Sequence, residues 1–134
     1  MAEAEHDPRK PRFLDQNKYF FNMPNISFFQ LTFTAPIAAV ERCKDAIFAA
    51  GAGRYPGKGG YTEVCTQSLV NTQFRPGPGA RPNIGSIGVL EQLGEVRVET
   101  LCIGEHTARA AVAALKEAHP YEEPVYFVMK MEDF

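Results

Sequence analysis

The order in which the hydrophobic period switches along this chain constrains its fold more than any other feature. In "SFFQLTFTAP", Phe29, Leu31 and Phe33 alternate with Gln30, Thr32 and Thr34, the period-two pattern of a half-buried strand, predicted over Ser27 to Thr34. Pro36 suits the first position of a helix, and Ile37, Val40, Cys43, Ile47 and Ala50 then recur at three- and four-residue steps until Gly51 and Gly53 offer a left-handed stop. The first helix is predicted over Pro36 to Ala50. "YTEVCTQSLVNTQF" is rich in Thr, Val and Tyr and free of Pro and Gly, a second strand from Tyr61 to Phe74. "RPGPGARPNIGSIG" breaks all regularity, and "EVRVETLCI" alternates again as a third strand from Glu95 to Ile103. "EHTARAAVAALKEAH" sets Ala108, Ala111, Val112, Leu115 and Ala118 on one helical face, and Val125, Phe127, Met129 and Met131 mark a fourth strand.

The resulting β-α-β-β-α-β order is the split-βαβ arrangement of α+β, ferredoxin-like folds, in which two helices cover one face of a four-stranded antiparallel sheet. The other face is then uncovered. On strands one, three and four it is predicted to carry Phe28, Leu101, Ile103, Tyr126 and Val128 beside Gln30, Arg97, Glu99 and Lys130. So much apolar surface predicts a homo-oligomer, or cover by the aromatics Phe13, Tyr19, Phe20 and Phe21 of the N-terminal stretch.

With 134 residues, 45% of them hydrophobic, the chain is sized for one domain, placed at residues 26–134, preceded by a partly disordered extension over residues 1–25. The formal charge of -2 gives no reason to expect nucleic acid or an anionic membrane as partner. No apolar run is long enough to cross a bilayer, and Glu3, Glu5 and Asp7 are foreign to a leader peptide, so a cytoplasmic location is expected. Cys43, Cys65 and Cys102 are an odd, widely spaced set that reads as reduced thiols.

Three stretches invite a chemical reading. "GAGRYPGKGG" is glycine-rich but fails the phosphate-loop spacing, because Gly59 stands where Ser or Thr would follow Lys58 and a strand comes next. Between Gly51 and Gly85 the charged residues are Arg54, Lys58, Arg75 and Arg81 against Glu63 alone, so with Tyr61 these loops could hold a small anionic ligand. Cys65 lies in a strand with no base nearby in sequence, which favours a structural thiol over a nucleophile. "AHPYEEP" gathers His119, Tyr121, Glu122 and Glu123 between Pro120 and Pro124 at the handover from helix to strand. Pro120 stops the helix, His119 in its last turn meets the negative end of the helix dipole, and an extended path sends the two carboxylates to opposite sides. This reads chiefly as a structural corner, with metal ligation by His119, Cys65 and a glutamate as the alternative.

The ordered set Gly51-Ala52-Gly53, Tyr61, Cys65, Phe74-Arg75-Pro76, Pro82, Ile84-Gly85, Glu95, Arg97, Glu99 and His119 to Pro124 resembles one known domain. It is similar to the small insert domain, also found free-standing, of the Nif-three-like dinuclear-metal family, whose fold resembles that of the PII signalling and CutA proteins. The likeness runs from Phe28 to Phe134. It implies the fold derived above and, by analogy with PII and CutA, a trimer. It does not imply dinuclear metal chemistry, because the metal-binding halves of full-length members have no room here and His6, His106 and His119 are scattered. "RYPGKGGYTEVC" is longer and more basic than the Gly-Asn-Tyr approach usual in the family.

These readings point to a non-catalytic binding or regulatory module. Its loops Gly51 to Gly60 and Arg75 to Gly94 would meet a small anionic ligand or a protein partner, with no cofactor required. The alternatives are a divalent-metal-binding protein resembling CutA and an enzyme using Cys65 or His119.

Overall fold

A computed structural model describes Pro8, Arg9 and residues 26–132. Apart from Pro8 and Arg9, the N-terminal extension and its aromatics lie outside the described residues.

The elements follow in the expected order: β1 (Phe28–Pro36), α1 (Val40–Ala49), β2 (Cys65–Phe74), β3 (Glu91–Ile103), α2 (Glu105–Ala118) and β4 (Tyr126–Met131). The strands form one antiparallel sheet in the order β2-β3-β1-β4, so the two strands joined through helices to their neighbours in sequence lie at the centre. The fold is α+β and ferredoxin-like. Leu31, Phe33 and Ala35 of β1 and Val96, Val98 and Cys102 of β3 meet Val40, Cys43 and Ile47 of α1 and Ala108, Ala111 and Leu115 of α2 in one core. Each large side chain buried this way contributes roughly 1.5–3 kcal/mol. The small alanines let the helices approach, and the Arg42 Nε–H of α1 donates to Ala118 O at 2.9 Å, capping the end of α2.

Several boundaries differ from the sequence expectation. Pro36 ends β1 rather than starting a helix: lacking an N–H it can close a ladder, and its carbonyl accepts from Ala39 N–H at 2.9 Å in a turn that precedes α1. Ile37 falls in that turn and is 60% exposed rather than core-facing. β2 begins at Cys65, because residues before it close on themselves through Tyr55 N–H to Tyr61 O at 2.9 Å. β3 begins four residues early, extending the hairpin until Phe74 pairs with Glu91.

The helix-to-loop exit after α1 depends on glycine. Gly51 has φ 110°, and Gly53 has φ 76°, donates to Leu101 O at 2.8 Å and accepts from Val64 N–H at 2.9 Å. A Cβ on Gly53 would lie 2.8 Å from the Phe48 ring and 3.0 Å from Val64 N, so neither its φ nor its space admits a side chain.

One prediction about the uncovered face is overturned. Val128 pairs with Leu31 and Tyr126 with Phe33, so Tyr126, Val128 and Lys130 stand on the helix-covered side, while Phe127, Met129 and Met131 share the open face with Phe28, Gln30, Leu101 and Ile103. A shift of one residue exchanges the two faces of a strand, and in "YFVMKM" both alternations are apolar enough to hide the choice. The correction makes the open face more apolar, with Phe127 62% exposed.

Candidate functional site

The open face is not bare throughout. At the end of the sheet where β2 finishes and β3 starts, loop 75–90 folds over it. The loop is held by its own bonds, Arg75 Nη1 to Gly88 O at 2.7 Å and Gly88 N–H to Pro76 O at 2.9 Å. It is tied to the turn after α2 by Arg81 N–H to Glu122 Oε1 at 2.8 Å. Between loop, turn and sheet lies a cleft of about 530 Å³, within the range of small-molecule sites.

The turn that forms one wall is set by His119. It follows α2 with extended backbone (φ -72°, ψ 137°), and its own N–H still donates to Leu115 O. The residue is 5% exposed. Nδ1 accepts from Tyr121 N–H at 3.1 Å, so Nε2 carries the proton and donates to Thr34 O at 2.8 Å. His119 thus lies past the last helical turn and serves as a neutral staple between α2 and β1, rather than as a cation at the helix dipole. Burial lowers its pKa, with Arg42 acting the same way and Thr34 and Glu95 opposing. The Tyr121 ring packs between His119 and Phe74, at 4.8 and 5.9 Å between centroids.

Tyr121 reaches Glu95, which the alternation of β3 places on the open face but which the loop and the turn bury to 3% exposure. Glu95 Oε1 accepts from Thr72 Oγ1. Glu95 Oε2 and the Tyr121 hydroxyl are both buried, and the hydroxyl is directed at the Glu95 carboxylate. Burial first, then the charge of Glu95 and the phenol's attraction to it, then Glu91, push the Tyr121 pKa up to about 12, so the phenol keeps its proton at neutral pH. The protonated phenol and the Thr72 hydroxyl are thus the two donors turned toward the buried Glu95 carboxylate.

Of the residues singled out in the sequence, the structure brings Arg75, Arg81, Tyr121, Glu122 and Glu123 to this cleft. Arg54, Lys58 and Tyr61 are exposed and lie at the other end of the sheet, where Cys65 pairs with Thr100. Within one chain the two loops therefore do not converge on one site. Cys65 is half-buried and lines a smaller hollow of about 300 Å³ with Tyr55 and Val64. Cys43 and Cys102 are buried core thiols whose pKa values burial raises, that of Cys102 to about 11. Among the described residues no three His, Cys, Asp or Glu side chains come together as metal ligands, and none of the helices is long and apolar enough to cross a membrane. Sequence reasoning assigned no role to Glu95 and Thr72. Both alternate in phase with solvent-facing neighbours, and only the loop closing over them distinguishes them.

The ordered likeness noted in the sequence is matched by known proteins. The chain is 42% identical over 98 residues to a "GTP cyclohydrolase 1 type 2 homolog" of Mycobacterium leprae, covering 72% of this chain and 24% of that protein. A solved Bacillus cereus protein related to NIF3 superposes with a TM-score of 0.66 at 30% identity, over 80% of this chain and 26% of that one. The domain is Nif-three-like. The Nif-three-like domain also shares its fold with CutA from Archaeoglobus fulgidus (TM-score 0.53, 14% identity, 81% of this chain and 86% of that one). The GlnK–ATP complex of Bacillus subtilis is a similar neighbour (0.51, 12% identity, 79% and 84%). No family model matches the chain. The chain spans about a quarter of the length of the curated relatives it matches.

Proposed function

We propose that this Nif-three-like domain is a non-catalytic binding or regulatory module that holds a small ligand in the cleft over Glu95 and Tyr121. The observation that carries the reading is the cleft itself, of ligand size and enclosed by loop, turn and sheet, with Phe74, Pro76 and Ile84 among its lining. Arg75 and Arg81 at the rim suit an anionic group on that ligand. Neither residue considered for catalysis is set up for it. His119 spends both ring nitrogens on the backbone, and Cys65 lies at the far end of the sheet. The open face, with Phe127, Met129 and Met131 exposed, supports self-association, and a trimer is part of the proposal. Three free cysteines, two of them buried, suit a reducing cytoplasm, which completes it.

The relatives' printed name speaks of a GTP cyclohydrolase. Because this chain spans only a quarter of them, that name supplies GTP as a first ligand to try and not a reaction. Proton and phosphorus NMR of GTP with the full chain is expected to show broadened ligand resonances and unchanged ligand after prolonged incubation. Steady conversion of the nucleotide, lost when Cys65 or His119 is replaced, would refute the non-catalytic reading.

A further inference from the structure

Edge strand β4 and helix α2 leave a groove between them on the helix-covered side of the sheet. Helix α2 packs on β1 and β3 and stops short of the last strand, so Val128 is 40% exposed. Phe29, Val112, Tyr126 and Val128 make an apolar floor. The charges at the rim are unbalanced. Arg109 is paired with Glu105 at 2.7 Å, whereas Lys116 and Lys130 have no carboxylate partner among the described residues, and Lys116 instead lies 5.4 Å from the centre of the Tyr126 ring. The groove is thus locally cationic in a chain whose formal charge is -2.

The backbone beside this groove is open as well. β4 is the last strand of the sheet, and Thr34 N–H donates to Val125 O at 3.3 Å. In an antiparallel ladder alternate residues turn their backbone groups to the same neighbour, so Phe127, Met129 and Met131 serve β1 while the N–H and C=O of Tyr126, Val128 and Lys130 point outward. These are the three residues of β4 whose side chains stand on the groove side. A strand laid along this edge hydrogen-bonds to them and sets every second side chain beside α2.

We propose that the β4 edge and the groove beside α2 take up an extended acidic segment of a partner protein, with apolar side chains at alternate positions and carboxylates meeting Lys116 and Lys130. The surface is separate from the cleft and lies on the opposite side of the sheet from the open face. Its charge favours this occupant over a second copy, because β2, the other edge strand of this chain, contains no Asp or Glu.

Fluorescence anisotropy of the full chain with a labelled peptide of alternating valine and glutamate tests this, against the same peptide with lysine for glutamate and the same peptide N-methylated at alternate residues. The acidic peptide is expected to bind at least about tenfold more tightly than either control, and the double variant Lys116→Glu, Lys130→Glu, with its circular dichroism unchanged, to lose at least about tenfold for the acidic peptide. Equal binding of the acidic and basic peptides, or a folded double variant that binds as the parent does, would overturn the recognition of charge. Undiminished binding of the N-methylated peptide, which leaves the protein untouched, would overturn strand addition. No binding of the acidic peptide would overturn the proposal outright, and binding that appears only after residues 1–25 are removed would overturn it in favour of the chain's own extension as the occupant.

Discussion

His119 Nε2 lies 2.8 Å from the backbone carbonyl of Thr34, a contact that joins the end of α2 to the central strand and fixes the wall of the cleft. It requires a neutral ring, since Nδ1 accepts from Tyr121 N–H. The pKa of His119 lies below its ordinary 6.5, through burial above all. The unfolded chain therefore binds the proton more readily than the folded one. The stability due to this residue is full above about pH 6.5 and is lost as pH falls from there through the depressed folded value. Urea unfolding at pH 7.5 and pH 5.5 is expected to show a loss for the parent. His119→Gln should be less stable at pH 7.5 by about 1–3 kcal/mol and should lose less on acidification. A parent whose stability is flat over that range would contradict the neutral staple.

Tyr121 separates packing from polarity in the same corner. Its ring contacts His119 and Phe74, so Tyr121→Ala should cost about 2–4 kcal/mol, as truncations of well-packed aromatics do. Tyr121→Phe keeps the ring and deletes the buried hydroxyl directed at Glu95. It should cost about 1 kcal/mol, less than the Ala variant. Thermal melts of both variants check the pair, and a Phe variant as stable as the parent would show that the hydroxyl is not engaged.

The open sheet face yields a prediction about assembly. Met129 and Phe127 are exposed on its edge strand β4, where they pair with Gln30 and Thr32 of β1. Light scattering over a wide concentration range should find the parent associated and Met129→Glu dissociated, with the variant keeping its circular dichroism spectrum. A parent that stays monomeric throughout would leave this face to another cover.

Much of this architecture was legible in the sequence because β1, β3 and both helices each bury one side, and burial writes a period. Leu31, Phe33, Val96 and Val98 alternate as a central strand must, and Ala108, Ala111 and Leu115 recur as a covered helix must. β4 was read with its faces exchanged because it is an edge strand, apolar on both sides, and no period tells one side from the other. The cleft was half legible. Pro120 and Pro124 announced the corner, and Arg75 and Arg81 announced a basic loop, but Glu95 looks like its solvent-facing neighbours Arg97 and Glu99. Its burial comes from a loop of prolines and glycines folding back over the strand, a long-range event that leaves no periodic trace in β3.

The central claim is that the cleft over Glu95 is an occupied binding site, and native mass spectrometry of the gently purified chain tests it most directly. The parent is expected to carry a small-molecule mass that is stripped by mild activation, and folded Arg81→Glu is expected to carry much less of it. A parent and a variant that are both bare, or that retain the same mass to the same extent, would contradict the account.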